Sequence, residues 1–115
     1  MLDRMHFHRA ILDHLQMAVL ACDATGQVQY MNPEAERMTG WPLWEAINRP
    51  AQEILGEGWT GPAFLDLLHS GEHFMRQPCR FRARWGEGQE RLLSVTPLYQ
   101  GAYRCGTAFV FDESR

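Results

Sequence analysis

A ten-residue stretch at 32–41 constrains the fold most, because it carries the signals of a helix together with both of its ends. Asn32 can cap free backbone N–H groups, and Pro33 suits the first helical position, where its missing N–H costs nothing. Acidic residues occupy the first turn, where the helix dipole favours negative charge. Gly40 can end the helix in a left-handed conformation. The stretch therefore predicts a helix over residues 33–39.

Two short apolar runs precede this helix, and further helical and strand-like segments follow it. A turn at Ala24-Thr25-Gly26 separates the first two runs, which predicts a β-hairpin. Pro50 interrupts the helical region that follows, and glycine-containing turns separate the last three runs. The predicted elements are strands at 17–23 and 27–31, one or two helical turns within 42–55, a helix at 62–69, and strands at 73–85, 89–99 and 102–111.

The N-terminal residues predict an amphipathic helix over 2–15 that flanks the main domain, which we place at 16–115. Apolar residues recur there at helical spacing, with charged residues between them. A coiled-coil-like seam on this helix predicts a homodimer, although the same residues could instead pack on their own domain. The predicted dimer interface consists of Met5, Ile11, Leu12 and Leu15.

The third predicted strand alternates strictly between apolar and basic residues. A strand places alternate side chains on opposite faces, so one face should point inwards and the other should meet solvent or a partner. The basic face has no interleaved aromatic residue and the net charge is −3, so nucleic acid is not expected as a partner. The inward set is Cys79, Phe81, Ala83 and Trp85, and the outward set is Arg80, Arg82 and Arg84.

Length and composition indicate one globular domain in a reducing compartment. The chain has 115 residues, with 45% hydrophobic and 22% charged residues, which is ordinary for a globular domain with its own core. Its three cysteines form neither an even set nor a metal-type spacing, which favours the cytoplasm. No apolar run is long enough to span a bilayer, so no direct membrane contact is expected.

Four segments of the chain follow one another in the order that is typical of one known family. They are AVLACDATGQV at 18–28 with NPEAE at 32–36, Gly40-Trp41 with Asn48-Arg49-Pro50, SVTPL at 94–98, and GTAFVFD at 106–112. Together these segments resemble the PAS family. At Glu113 the chain departs from the family, which usually has an apolar residue there. The resemblance implies an α+β fold, a five-stranded antiparallel sheet with short helices on one face and a flanking N-terminal helix.

The resemblance further implies a sensory and regulatory module, cut from a longer protein such as a histidine kinase, a diguanylate cyclase or a phosphodiesterase. Its partners would be an output domain, a second copy and a small molecule held in the core. The opposed hypothesis is a ligand-free dimerisation and relay domain. PAS cavities lie between the sheet and the middle helices, and the residues expected there, each equally a plain core residue, are Met38, Trp41, Ile54, Phe64, Leu68, Phe81, Val95 and Phe109.

Cofactor and catalytic residues are not identifiable from the sequence. Haem-binding relatives carry a histidine inside a long helix, whereas His69 ends a short one. Photoactive flavin relatives need a cysteine just after Asn48-Arg49, where this chain has Pro50-Ala51. Non-covalent flavin and haem stay open as alternatives. No metal-ligand spacing and no catalytic constellation occur, so we expect neither a metal site nor an enzyme.

Overall fold

A computed structural model describes residues 17–56, 58–69 and 74–113 of the chain. The predicted flanking helix, with Met5, Ile11, Leu12 and Leu15, lies outside the described residues. The described elements are β1 (Ala18–Asp23), β2 (Val28–Met31), α1 (Pro33–Thr39), α2 (Leu43–Ala46), α3 (Ala51–Leu55), α4 (Phe64–His69), β3 (Phe74–Arg82), β4 (Gly88–Gln100) and β5 (Tyr103–Glu113).

The strands form one antiparallel five-stranded sheet in the order β2-β1-β5-β4-β3. This arrangement, with its short helices, confirms the predicted α+β fold. β5 lies at the centre, and its last residues pair with the first residues of β1, since Ala18 is opposite Phe111. The chain therefore enters β1 beside the point where it leaves β5.

The core lies between the helices and one face of the sheet. Strand alternation places Leu20, Val95, Phe109 and Phe111 on this inner face, and all four are buried. α1 packs on β1, and α4 lies against β5. Burying this continuous apolar surface is the main source of stability expected for a domain of this size.

Several predicted boundaries differ from the structure, among them the start of the fourth helix and the end of the third strand. The fourth helix begins at Phe64 and not at residue 62. The third strand ends at Arg82, because Ala83 donates a backbone hydrogen bond to Glu87 at 2.7 Å and turns the chain towards β4. The alternation of inward and outward residues continues to Arg84 but not to Trp85, so the prediction of an inward Trp85 is wrong, and Trp85 is 55% exposed. The inward positions Cys79, Phe81 and Ala83 and the outward Arg80, Arg82 and Arg84 are as predicted.

Candidate functional site

Seven of the eight predicted cavity residues belong to one core cluster or pack against it. Trp41 and Leu68 are partly buried against it, and Phe64 lies on α4. Contiguity of this kind is needed for a ligand cavity, but it is equally the property of a packed core. The fully buried members of the predicted set are Met38, Ile54, Phe81, Val95 and Phe109.

A chain of aromatic contacts crosses this core. The Trp59 and Phe81 rings stack with centroids 6.5 Å apart, and Phe81 meets Phe111 edge-on at 5.7 Å. Trp59 Nε1 donates to the carbonyl oxygen of Pro62 at 2.9 Å, so the loop before α4 is fixed to the first ring. The contacts thus connect that loop to the end of β5. The sequence alone did not predict that Trp59, Phe81 and Phe111 contact one another.

A clamp around Trp41 joins the helices to the sheet. Arg84 forms two hydrogen bonds with the Glu45 carboxylate, at 2.6 and 2.7 Å, while its guanidinium lies 4.0 Å from the Trp41 ring centroid. The Arg84 hydrogen bonds hold the pKa of Glu45 below its usual value. Because the guanidinium is planar, it can pair with a carboxylate and stack on an aromatic ring together. Trp44, three residues further on, is 78% exposed and takes no part in this packing.

Asn32 lies at the junction of β2 and α1 and is fully buried. Its Oδ1 accepts hydrogen bonds from the backbone N–H groups of Ala35 and Val19, both at 2.9 Å. Its backbone carbonyl is already used by α1, where it accepts from Glu36 N–H at 3.1 Å. The side-chain oxygen therefore takes the place of a backbone carbonyl in the β1–β2 ladder and caps the helix as well. Asn32 Nδ2 also donates to the carbonyl oxygen of Met17 at 2.8 Å.

Cys22 and Cys79 are buried in the core, where their thiols are unreactive. Burial raises the pKa of Cys22 to about 11, and it raises the pKa of Cys79 to about 11 as well. At neutral pH both are thiols, which are poor nucleophiles and poor metal ligands. Cys105 is only partly buried.

A partly enclosed groove of about 360 Å3 lies where the chain enters β1 and leaves β5. We call it the entry groove. Its apolar residues lie at the start of β1, near the end of β5 and on α1. Its three charged residues lie on α1, β4 and β5. The lining residues are Met17, Ala18, Glu34, Met38, Arg91, Phe111 and Asp112. Of these, sequence reasoning singled out only Met38 for a site, because the groove depends on strand pairing between distant residues.

The described residues contain no group of three or more His, Cys, Asp or Glu side chains that could hold a metal ion. Among the same residues, no helix is long and apolar enough to cross a membrane.

The sequence pattern of the PAS fold family matches residues 7–111, and the chain belongs to that family. PAS domains are generally sensory, non-catalytic modules of signal transduction. The chain is 30% identical over 101 residues to the probable diguanylate cyclase DgcE of Escherichia coli K12. That match covers 84% of this chain but only 9% of the relative.

Solved PAS structures share the fold at low sequence identity. The PAS domain of nitrogen regulation protein NR(II) from Vibrio parahaemolyticus is 18% identical, with a TM-score of 0.75 over 91% of this chain and 95% of that one. The LOV domain of a blue-light activated histidine kinase from Erythrobacter litoralis EL346 is 17% identical, with a TM-score of 0.70 over 89% and 100%. At these identities the likeness concerns the fold alone.

Proposed function

We propose that this chain is the sensory module of a multidomain, cytoplasmic signalling protein that makes or degrades cyclic di-GMP. The observation that carries the proposal is its 30% identity to a probable diguanylate cyclase of which it spans 9%. The remaining length of such a protein would supply the output domain, whereas this chain would supply only detection. We retain the division into a flanking helix at 1–15 and a PAS domain at 16–115.

Detection would take place in the core and reach the output through β5. Phe81 is one of the predicted cavity residues, and its ring contacts Phe111 near the end of β5. A ligand that displaced Phe81 would therefore act on the strand that leads out of the domain. Asp112, the next residue, is held by Arg76 of β3 at 3.1 Å, so a shift of β5 would also strain an ion pair across the sheet.

The proposal can be tested by exchanging segments with the Escherichia coli relative. The matching segment of that protein is replaced by this chain, and cyclic di-GMP synthesis by the purified chimera is measured. A Gly-Ser linker of equal length serves as the control. We expect the chimera to differ from the linker protein in activity. Equal activity in the two proteins would contradict a regulatory role.

The alternative function is a ligand-free dimerisation and relay domain built on Met5, Ile11, Leu12 and Leu15. The double variant Leu12→Glu, Leu15→Glu should then give a folded monomer by light scattering, since two buried charges would separate the seam. Arg9→Glu, which adds the same residue at a charged position, is the control and should remain dimeric. A wild-type chain that is monomeric at high concentration would refute the dimer.

A further inference from the structure

We propose that the entry groove binds a small aromatic carboxylate, and that Arg91 recognises the carboxylate group. This inference rests on the proposed sensory function, for which it names a ligand class and a second binding position. The ligand would lie at the edge of the core, beside the start of β1 and the end of β5.

Arg91 interrupts the apolar inner face of β4. The alternate residues Leu93 and Val95 are fully buried on that face, and Arg91 pairs across the ladder with the buried Cys79. Arg91 itself is only partly buried, and it lines the entry groove as well as a second groove beside Thr60. A cation at the edge of an apolar layer is costly unless it meets solvent or an anion.

The guanidinium of Arg91 has hydrogen-bond donors to spare. Its Nη1 donates to the backbone carbonyl of Glu90 at 2.9 Å, and it forms no ion pair with the side chains that the structure describes. An arginine carries five N–H donors, in a fork that fits a carboxylate. By contrast, arginines of the described residues that do pair with a carboxylate include Arg37, Arg49, Arg76, Arg80 and Arg84.

The two carboxylates that line the groove already have cationic partners. Glu34 is paired with Arg37 of the same helix, and Asp112 is paired with Arg76. Their charges are thus largely compensated, so the charge of Arg91 determines what the groove attracts. An anionic group is therefore the complementary ligand group.

The apolar side chains supply the smaller part of the groove surface, where they can contact the ring of a ligand whose polar end faces Arg91. Met38 and Phe111 are nearly buried and form the floor, while the partly exposed Met17 forms the rim. Thioether sulfur makes favourable contacts with aromatic rings, and flexible methionine side chains adapt to the shape of a bound ring. The volume of about 360 Å3 lies at the lower end of the range for small-molecule sites.

The test compares 3-phenylpropionate with 3-phenylpropanamide, which has the same shape and no charge. Affinity for the 115-residue chain is measured by isothermal titration calorimetry. The carboxylate should bind on the order of tenfold more tightly than the amide, as expected for a charge-assisted hydrogen bond. Arg91→Gln should abolish that preference. Arg80→Gln, the same change on the neighbouring strand, should preserve it.

Equal affinity for the two compounds, or no measurable binding of either, would overturn the proposal. So would an unchanged preference in a folded Arg91→Gln chain. If Arg91→Gln does not fold, Arg91→Lys decides, because lysine keeps the charge but loses the planar fork. It should bind the carboxylate more weakly than wild type, and unchanged affinity would refute recognition by Arg91. Since binding is measured on the chain itself, this result is independent of the activity of the chimera.

Discussion

Asn32→Ala is the substitution whose cost the structure defines most clearly. The change removes one oxygen that serves both the helix and the sheet. Loss of the cap on α1 should cost about 1 kcal/mol. Loss of the second bond leaves the Val19 N–H without its acceptor in a buried strand, which should cost about 1–3 kcal/mol more. The carbonyl of Met17 lies near the surface, where water can replace the lost Nδ2 donor.

The expected loss in the free energy of unfolding is therefore about 3 kcal/mol, which corresponds to a fall of roughly 10 °C in Tm for a domain of this size. Urea denaturation followed by tryptophan fluorescence measures the first value, and calorimetry measures the second. The backbone amides of Val19 and Ala35 should exchange hydrogen faster in Asn32→Ala than in the wild type. Gln52→Ala, an exposed amide on α3, is the matched control and should change stability by less than about 0.5 kcal/mol.

A loss no larger than that of the Gln52 control would refute the reasoning, because it would mean that Asn32 carries neither the cap nor the ladder. A loss near 1 kcal/mol would show that only the cap matters. If stability were unchanged while signalling by the parent protein was lost, Asn32 would have a direct sensory role in place of the structural one proposed here.

Three further outcomes are expected. Gly40→Ala should destabilise more than Gly101→Ala, since both glycines have positive φ but only the added Cβ at Gly40 would meet the Trp85 ring, at 2.5 Å; equal losses in urea denaturation would contradict this. The free energy of unfolding should fall as the pH rises from about 9 towards 11, because thiols of the unfolded chain release protons before those of Cys22 and Cys79, and Cys79→Ala should reduce this slope. The chain contains no lysine to obscure the effect. The purified chain should be colourless, and a stoichiometric haem or flavin band in its absorption spectrum would show that a cofactor is bound.

Local signals made much of the fold predictable. The helix at Pro33–Thr39 has the predicted bounds because its cap, its first residue and the glycine that ends it lie within nine neighbouring positions. The hairpin of β1 and β2 likewise follows from a short turn between two apolar runs. Trp85 was placed wrongly because a backbone hydrogen bond between Ala83 and Glu87 ends the strand, and no side-chain pattern announces it.

The candidate site was less predictable, because its parts meet only through long-range pairing. The Glu45–Arg84 pair joins residues that are 39 positions apart, and the sequence alone presented Arg84 only as one member of a basic stripe. Arg91 was not singled out at all. Its significance depends on which face of β4 it occupies and on which carboxylates are already paired, and both facts require the register of the whole sheet.

The pairing of Ala18 with Phe111 also has a consequence for how such a module is acquired. Partners in an antiparallel ladder lie about 5 Å apart at their Cα atoms, so the domain departs almost where it begins. Domain insertion is tolerated when the two ends of the inserted domain lie close together. A host protein could therefore gain or lose this domain at one surface loop, and the two sides of that loop would stay close to each other. Exchanging this domain of ~100 residues between unrelated host proteins, at exposed loops, should therefore leave both host proteins folded.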